Sequence, residues 1–420
     1  MRPEPALLRV CRDTFAEAVR GFDLAGRVER ALRAIPRSSG RTVVVAAGKS
    51  AATMVAGLAR SSWVTDTVLV ARPTRSLAVE PSTLDALAAR GCAVREFATG
   101  HPLPDESSTR AAEAVRATLA TLGAADTVLV LLSGGASAAL CLPRGGLSLE
   151  DLRLATRTLL AYGAPIDAVN DARGRLDAVK HGGLAVLAGR ARVHTLVSAD
   201  VLGDDEHVLH AVGSAPTLAA PPAVLAPELL AALPPRIAAV AATPRPTALA
   251  NSTSPQLVAR PGDFREACAT VLSRAALAVT RLDDAHDDVE TVARRYAEFA
   301  RVLAPGTALV AIGEPTVRLP ESPGRGGRSG RLALSLVRAL ATCPGVVFLA
   351  AGSDGVDGES GHAGAVVDDS TLSRALALGL DPGRALDAFD DASFHEALGA
   401  CIDVPPTGLN LLDVHVLARR

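Results

Sequence analysis

Lysine is almost absent from this chain. Lysine and arginine together number 43, yet only Lys49 and Lys180 are lysines. In a chain so biased toward arginine, a lysine on an ordinary solvated surface would usually have been an arginine. A compact, flexible ammonium can serve beside a phosphate where a planar guanidinium cannot. The scarcity therefore favours a functional role for Lys49, which lies in a motif, and leaves function and chance survival both open for Lys180.

The patterns of secreted, zinc-binding and membrane proteins are also missing. The six cysteines are scattered, with no Cys-x-x-Cys and no paired histidine, which favours reduced core thiols. Residues 1–11 carry charge and proline where a signal peptide needs an apolar core. Prolines and Glu228 interrupt the apolar run 217–235, and a formal net charge of −2 suggests no nucleic-acid or membrane-surface partner. We therefore expect a cytoplasmic protein with a small ligand.

Length and composition predict two domains. With 420 residues, of which 49% are hydrophobic, the chain can bury more than one core. Residues 215–250 consist largely of Ala, Pro and Leu and carry little charge, which is typical of a region between domains. The predicted domains are residues 1–240 and 241–420.

Two strand-like runs in the first half end in glycine-containing loops and continue into helix-like patterns. Residues 42–47 precede Gly48-Lys49-Ser50, which is not a Walker A motif because its first glycine would fall at Val43. Residues 128–132 precede the second loop. Glycines let the backbone approach a ligand, and a helix N-terminus offers N–H groups to an anion. The predicted phosphate-binding residues are Gly48, Ser133, Gly134, Gly135 and Ser137. For the second loop, a plain turn that needs small residues is an equally good interpretation when it is taken alone.

Acidic residues follow two later strand-like runs. Asp200 and Asp204 come after residues 193–197, and Asp354 comes after residues 346–350. Carboxylates at a strand end suit Mg²⁺, which prefers oxygen ligands, although Asp-rich turns are also ordinary loops. We predict Asp204 and Asp354 as metal ligands and Asp200 as a catalytic residue.

The last third predicts a β-α-β unit. It consists of a strand at 307–312, a basic glycine loop with Arg325 and Arg328, a helix to Ala341 and a strand at 346–350. Ligands of open α/β sheets bind outside the carboxyl ends of the strands. Most of the motifs lie at such ends, which favours an α/β fold with its site there.

These groups suit phosphoryl transfer to a small anionic acceptor. Such catalysis consists mostly of positioning and of charge neutralisation by Lys, Arg and Mg²⁺. A hydrolase is an alternative, since Gly135-Ala-Ser137 is similar to a nucleophile elbow, but Ala139 replaces its closing glycine. A two-domain protein that binds organic anions without turnover is another. His101, which precedes a proline, is either a catalytic base or a structural hydrogen-bonding residue.

Several motifs in this order resemble the class II glycerate 2-kinase family, whose C-terminal portion is known as the MOFRL domain. The resemblance covers nearly the whole chain and is carried by residues 47–51, 100–106, 132–137, 324–328, 352–358, 363–365 and 406–410. It implies an N-terminal Rossmann-like domain, a parallel sheet with helices on both faces. It also implies a smaller C-terminal α/β domain and an active site in the cleft between the two.

The resemblance further implies an ATP-dependent kinase that phosphorylates the 2-hydroxyl of D-glycerate, with Mg²⁺, to give 2-phosphoglycerate. Lys49 would bind the transferring phosphate, and Arg325 would face it from the other domain. The remaining phosphate- or substrate-binding residues would be Lys180, Arg328 and Asn410. The expected partner is a small anionic hydroxy acid, and a homodimer is a further expectation.

The chain departs from the usual family pattern at residues 173–175, 181, 199, 215 and 329–331. Gly174 replaces a lysine, and His181 and Ala215 replace glycines. Ser329-Gly330-Arg331 replaces Asn-Gln-Glu, which predicts a more positive and roomier site and hence a more anionic acceptor than D-glycerate. Alternatively, these three residues only cap the helix. A divergent member that acts on another hydroxy acid, or that only binds organic anions, is the alternative function.

Overall fold

The computed structural model describes residues 5–37, 39–219, 225–245, 248–282 and 284–420, except the side chains of 166 and 167. The chain forms two compact units. One runs from Leu24 to Ala259, and the other joins the residues up to Asp23 to Arg260–Arg420. We call them the N-terminal unit and the C-terminal unit.

In chain order the helices are α1 (Ala6–Gly21), α2 (Leu24–Leu32), α3 (Ala51–Arg60), α4 (Pro81–Ala88), α5 (Glu106–Leu119), α6 (Ala136–Ala139), α7 (Leu149–Tyr162), α8 (Ile166–Leu176), α9 (Gly183–Leu187), α10 (Asp205–Ala211), α11 (Pro227–Ala232), α12 (Pro235–Ala242), α13 (Pro261–Arg274), α14 (Val289–Val302), α15 (Arg328–Leu340), α16 (Thr371–Ala377), α17 (Pro382–Asp387) and α18 (Asp391–Leu398). The strands are β1 (Thr42–Ala47), β2 (Thr67–Pro73), β3 (Ala93–Thr99), β4 (Thr127–Ser133), β5 (Arg192–Ser198), β6 (Gln256–Ala259), β7 (Ala278–Arg281), β8 (Thr307–Gly313), β9 (Val346–Gly352), β10 (Gly364–Asp368), β11 (Cys401–Ile402) and β12 (Asp413–Arg419).

The predicted domain boundary between residues 240 and 241 lies inside the N-terminal unit. The stretch that composition marked as inter-domain contains α11 and α12. Leu229 of α11, Ile237 of α12 and Leu233 between the two helices are buried in a cluster with α7 and α8. Linkers and short buried helices can share an Ala- and Pro-rich composition, so composition could not separate them. At the other end, α1 belongs to the C-terminal unit, where Phe15 contacts Phe264 edge to face with ring centroids 6.1 Å apart.

The N-terminal unit contains a parallel sheet with strand order β3-β2-β1-β4-β5-β6. This is the Rossmann-type order, and it confirms the Rossmann-like fold predicted from the sequence. Every residue of β1 and β4 is buried, as expected for parallel strands covered by helices on both faces. The core of this unit packs β1, β4 and β5 against α5, α9 and α10.

The C-terminal unit contains a mixed sheet with strand order β11-β10-β9-β12-β8-β7. The predicted strands and helix of the β-α-β unit are all present, but β8 and β9 are not neighbours. The last strand, β12, lies between them and pairs antiparallel with both. Its first six residues are buried, so this apolar segment occupies the sheet centre, and local sequence patterns do not reveal such long-range pairing. The predicted smaller C-terminal α/β domain is confirmed.

All six cysteines are buried and free of disulfide bonds. Among the helices that the structure describes, none has the length and apolar character required to span a bilayer.

Candidate functional site

The sheet of the N-terminal unit reverses its strand order between β1 and β4, which pair directly. In open α/β sheets the ligand crevice forms outside the carboxyl ends of the strands at such a reversal. The loops that leave these two ends are residues 48–50 and 134–135. These are the glycine-containing loops selected from the sequence, and the structure brings them together.

Backbone and hydroxyl hydrogen bonds join the two loops. The Lys49 N–H donates to the Gly134 carbonyl at 2.8 Å, and the Ser50 N–H donates to Ser133 Oγ at 2.9 Å. Gly48 adopts a φ of 111°, and a Cβ there would overlap the Ser133 carbonyl oxygen. Only glycine allows this close approach, so the loop beside Lys49 is held in one position.

The side chains of His101 and Lys49 both lie close to Gly135. A Cβ placed on Gly135 would lie 3.2 Å from the His101 ring and 3.4 Å from Lys49 Cγ. Lys49 is half-buried and His101 is exposed. In the sequence His101 fits a base and a structural role equally, and only the fold shows that it lies next to Lys49.

Ser133, one of the predicted anion-binding residues, forms a hydrogen bond inside the protein. Ser133 is fully buried, and its hydroxyl bridges the two loops by accepting from Ser50. The helix behind Gly135, α6, has only four residues, so its dipole is weak. The ten-residue α3 begins directly after Ser50 and is the longer of the two helices. The binding roles of Gly48, Lys49, Ser133, Gly134, Gly135 and Ser137 stay predictions.

A second polar pair lies one residue beyond the Gly135–Ala136 turn. Ser137 Oγ and Ser214 Oγ are 3.0 Å apart. Ser214 and Ala215 both have positive φ, 59° and 50°, and the Cβ of a residue at Gly213 would lie 3.3 Å from that of Ala136. The tight turn 213–215 is therefore placed against α6. In the sequence only the neighbouring Ala215 stood out, as a departure from the family pattern.

Lys180 forms a buried ion pair. Its side chain is 3% exposed, and Nζ lies 2.6 Å from Oδ2 of the fully buried Asp177. Asp177 also accepts the N–H groups of Val179 and Leu142, at 2.9 and 3.2 Å. Moving Lys180 to a substrate would leave a buried carboxylate uncompensated. Lys180 therefore forms an internal ion pair in this structure, and its role in binding phosphate or substrate stays a prediction.

The departures at residues 174 and 181 are physically coupled. His181 has a φ of 48°, and its imidazole lies over Gly174 in α8, where any Cβ would overlap the ring. The His181 side chain is only 10% exposed, and its Nδ1 is 3.8 Å from Asp171 Oδ1. Burial lowers the pKa of His181 to about 4, opposed by Asp171 and assisted by Arg245, so the imidazole is neutral near pH 7.

The acidic residues after β5 have separate environments. Asp204 is the N-cap of α10, and Oδ1 accepts the His207 N–H at 2.9 Å. Asp200 is half-buried and follows β5, the neighbour of β4. Within the described ranges, no group of three His, Cys, Asp or Glu side chains is arranged to bind a metal ion. Asp204 therefore has a structural use, and its metal role stays a prediction.

In the C-terminal unit the predicted catalytic Arg325 is held by a carboxylate. Its Nη2 lies 2.6 Å from Glu396 Oε1 and donates to the Ser360 carbonyl at 3.1 Å. Glu396 also contacts His362 Nε2 at 3.0 Å, and His362 Nδ1 is 2.6 Å from Asp403. The Arg325 side chain is 55% exposed. Sequence patterns gave no signal for Glu396, which lies 71 residues further on.

Buried carboxylates bind the start of α15. Asp357 accepts the N–H groups of Ser329 and Gly330 at 3.0 and 2.8 Å, and Asp391 accepts the Gly327 N–H at 3.1 Å. Burial, together with repulsion from Asp413, raises the pKa of Asp357 to about 7. Burial also raises the pKa of Asp391 to about 7. These carboxylates therefore occupy the N-terminus of α15.

The expectation that residues 329–331 make the site more positive and roomier is wrong. Arg331 contacts Glu290 at 2.8 Å, and its guanidinium carbon lies 4.2 Å from the centre of the Phe389 ring. Gly330 leaves no free room, because a Cβ there would overlap Asp391. Ser329 is buried and its hydroxyl donates to Asp413 at 3.2 Å. All three residues serve the packing and capping of α15.

The other predicted residues of this unit are partly engaged. Arg328 pairs with Asp413 at 2.6 Å and also contacts Glu314, and these carboxylates raise its pKa against the opposing effect of burial. Asp354 Oδ1 accepts the Val356 N–H at 3.0 Å. Asn410 is 6% exposed. The ligand roles of Arg328, Asp354 and Asn410 stay predictions.

Two family models match the chain. Residues 10–232 match a family described as "Domain of unknown function (DUF4147)", and residues 307–413 match the MOFRL family. The first match covers more than half of the chain.

Named relatives extend over most of the chain. A protein of Agrobacterium vitis named "Putative hydroxypyruvate reductase" is 34% identical, covering 97% of this chain and 94% of that protein. The D-glycerate 2-kinase of Thermotoga maritima is 32% identical over 76% of this chain and 78% of its own. The crystal structure of a glycerate kinase from Thermotoga maritima superposes with a TM-score of 0.84 and 26% identity, covering 99% of this chain and all of that one.

We expect His181→Asn to weaken the pH dependence of stability. The folded pKa of His181 is about 4, whereas an unfolded histidine titrates near 6.5. Because the unfolded chain binds a proton that the folded chain does not, the free energy of unfolding falls as pH drops from about 6.5 towards 4. Between pH 7 and pH 5 the wild type should lose about 2 kcal/mol more than the variant in urea denaturation.

Other titrating groups do not affect this comparison. His395 and His415 also have pKa values lowered by burial to about 4, and Asp357 and Asp391 titrate near neutrality, but all are present in both proteins. Equal losses in the wild type and in His181→Asn would contradict the prediction.

Proposed function

Because this chain belongs to the class II glycerate 2-kinase family, which transfers phosphate to an alcohol acceptor, we propose that it phosphorylates D-glycerate. In this proposal the γ-phosphoryl group of ATP moves to the 2-hydroxyl of the acid, with Mg²⁺, and the product is 2-phosphoglycerate. The reaction proceeds by positioning and charge neutralisation rather than through a covalent intermediate on the protein.

The observation that carries the proposal is the position of Lys49. It is one of two lysines in the chain, and it extends from a loop joined by hydrogen bonds to the β4 loop at the reversal of strand order. The other lysine is committed to a buried ion pair. Lys49 would therefore bind the oxygens of the transferring phosphoryl group from a rigid support, and a preorganised cation of this kind stabilises developing charge without reorganising.

We assign His101 the role of general base. Its ring lies beside Gly135 and near the stem of Lys49, on the side of the loops that solvent reaches. An imidazole titrates near neutral pH and can accept the proton of the acceptor hydroxyl as the oxygen attacks phosphorus. The new bond is oxygen to phosphorus, the bond that breaks joins the γ-phosphorus to its bridging oxygen, and ADP leaves.

A magnesium ion fits this site through few protein ligands. Mg²⁺ usually retains several waters and is bound by one or two carboxylates together with substrate phosphates. The N-terminal unit provides the half-buried Asp200 beyond β5, while Asp204 is occupied as a helix cap. Asp200 would therefore hold the ion, whose contribution is to neutralise phosphate charge.

Arg325, in the C-terminal unit, is a further proposed phosphate-binding cation. Its guanidinium is more than half exposed and presently paired with Glu396 and the Ser360 carbonyl. A guanidinium can bind two phosphate oxygens at once, so Arg325 suits phosphate binding. The pairing with Glu396 would have to loosen when Arg325 binds phosphate.

The geometry of residues 329–331 favours the ordinary acceptor. These departures from the family pattern serve the packing of α15 and add no charge or space for a ligand. The reason for expecting a more anionic acid has therefore been removed. We therefore propose D-glycerate as the acceptor, while a homodimer and a cytoplasmic location stay expectations.

One relative's name suggests reduction of hydroxypyruvate instead. A dinucleotide site normally has G-x-G-x-x-G after β1 and an acidic residue near the end of β2. Here β1 leads into Gly48-Lys49-Ser50-Ala51-Ala52, and β2 ends in Arg72-Pro73. Neither feature is present at these positions, so phosphoryl transfer is the better supported reaction.

The direct test is turnover by the purified full chain. With ATP, Mg²⁺ and D-glycerate, ³¹P NMR should show 2-phosphoglycerate, and EDTA should abolish its formation. A panel with L-glycerate, glycolate, lactate, tartrate, erythronate and 3-phosphoglycerate should give the highest kcat/KM for D-glycerate. NADH oxidation with hydroxypyruvate but no phosphorylation would establish the reductase, and esterase activity lost in Ser137→Ala would establish the hydrolase.

Lys49→Arg should be nearly as damaging as Lys49→Ala. A planar guanidinium on a different stem does not replace a compact ammonium set beside a phosphate. Loss of one transition-state contact should lower kcat by about 100-fold, or on the order of 3 kcal/mol. Steady-state kinetics measure the effect, and Arg33→Lys, at an exposed position, is the control. Near wild-type turnover of Lys49→Arg would show that Lys49 is incidental.

His101→Ala and His101→Asn should both lower kcat by about 100-fold or more. Asparagine retains a hydrogen-bond donor but cannot accept a proton near neutral pH, so it separates a base from a residue that only donates to phosphate. The acid limb of the kcat/KM profile should also disappear in both variants. An asparagine variant with wild-type activity would exclude His101 as the base.

A further inference from the structure

The ring of His181 occupies a space that any other residue at position 174 would fill. A Cβ on Gly174 would overlap three atoms of the imidazole. Gly174 lies in the interior of α8 with an ordinary helical backbone, where glycine is roughly 1 kcal/mol less favourable than alanine. The helix therefore accepts a poor helix former at the place where the ring is seated.

The backbone of His181 connects this contact to a distant turn. His181 N–H donates to the Ser214 carbonyl at 3.0 Å, and Gly182 N–H donates to the Ala215 carbonyl at 2.9 Å. His181, Ser214 and Ala215 all have positive φ, a region in which residues other than glycine stay only when their surroundings impose it. The seated ring fixes the turn at His181 and Gly182, and the two hydrogen bonds join the Ser214–Ala215 turn to it.

The Ser214 turn reaches the loop beside Lys49. Ser214 Oγ is 3.0 Å from Ser137 Oγ, and Ser137 is half-buried in α6, whose N-cap Gly135 lies against Lys49 and His101. Two adjacent hydroxyls can donate to a carboxylate and accept from a hydroxyl. They therefore match the functional groups of a 2-hydroxy acid.

The surroundings of His181 favour a steric over an electrostatic role. Asp171 Oδ1 is too far from the ring for a hydrogen bond, at 3.8 Å, and the other oxygen of Asp171 pairs with Arg175 at 2.8 Å. Lys180 pairs with Asp177, and Arg245 donates to the Lys180 carbonyl. The charged groups around the ring have partners of their own, so the defining contact is the one with Gly174.

We propose that His181, seated on Gly174, is a positioning residue that fixes the Ser214–Ser137 hydroxyl pair as the binding surface for the hydroxy-carboxylate acceptor. The inference rests on the proposed function for the identity of that acceptor. In this proposal His181 and Gly174 control the affinity for the acceptor and have no role in binding ATP.

The test is a double-mutant cycle of Gly174→Ala, His181→Gly and both together. Gly174→Ala should raise the KM for D-glycerate by about tenfold, because the new Cβ displaces the ring, while the KM for ATP and the Tm stay near wild type. In the His181→Gly background the alanine should have no further effect, since no ring is left to displace. Gly21→Ala is the matched control, because a Cβ there has no atom within 4 Å.

Binding measurements separate this inference from the proposed function. Titration calorimetry of D-glycerate with the wild type and Gly174→Ala reports acceptor affinity even without turnover. A wild type that binds D-glycerate but does not phosphorylate it would refute the kinase alone, and weaker binding by Gly174→Ala would still support the positioning role. An unchanged KM and Kd in Gly174→Ala, additive effects in the double variant, or no binding of D-glycerate by the wild type would overturn the inference.

Discussion

The joining of the β1 and β4 loops is the constraint on which the N-terminal unit's candidate site depends. Two hydrogen bonds, Lys49 N–H to Gly134 and Ser50 N–H to Ser133, connect the strand ends at the point where the sheet order reverses. Neither bond uses a side chain that faces the crevice. Because the backbone is fixed from beneath, the Lys49 side chain and the His101 ring can be directed outward from a support that does not move when charge develops.

Polar groups inside each unit are paired before any ligand arrives. Lys180 neutralises Asp177, Arg331 contacts Glu290, and Asp357 binds two helix N–H groups. Each pairing gives a charged residue an internal partner. Buried charges need such partners because desolvation is expensive, and this explains why a charged residue in a glycine-rich motif is as easily structural as catalytic.

A departure from the family pattern can be interpreted only together with the residue that packs against it. Gly174 and His181 are seven positions apart, and the second fills the space left open by the first. The sequence alone suggests free space beside Gly330, but Asp391 fills that space. Considered one at a time, these changes suggested an altered acceptor. The contacts show instead that residues 329–331 pack and cap α15, and that His181 donates its N–H to the Ser214 carbonyl in the turn beside the proposed acceptor surface. A changed residue near a site is informative only together with the neighbour that accommodates it.

The sequence by itself determined the local features. The strands β1, β4, β5, β8 and β9, the glycine loops at their ends and several helices follow from apolar periodicity and turn residues, which act over a few positions. Tertiary structure alone decided the insertion of β12 between β8 and β9, the inclusion of α11 and α12 in the N-terminal unit, the burial of Lys180 and the placement of His101 beside Lys49. Each of these depends on a partner distant in sequence, and periodicity contains no information about which distant residue supplies the complementary charge, hydrogen bond or space.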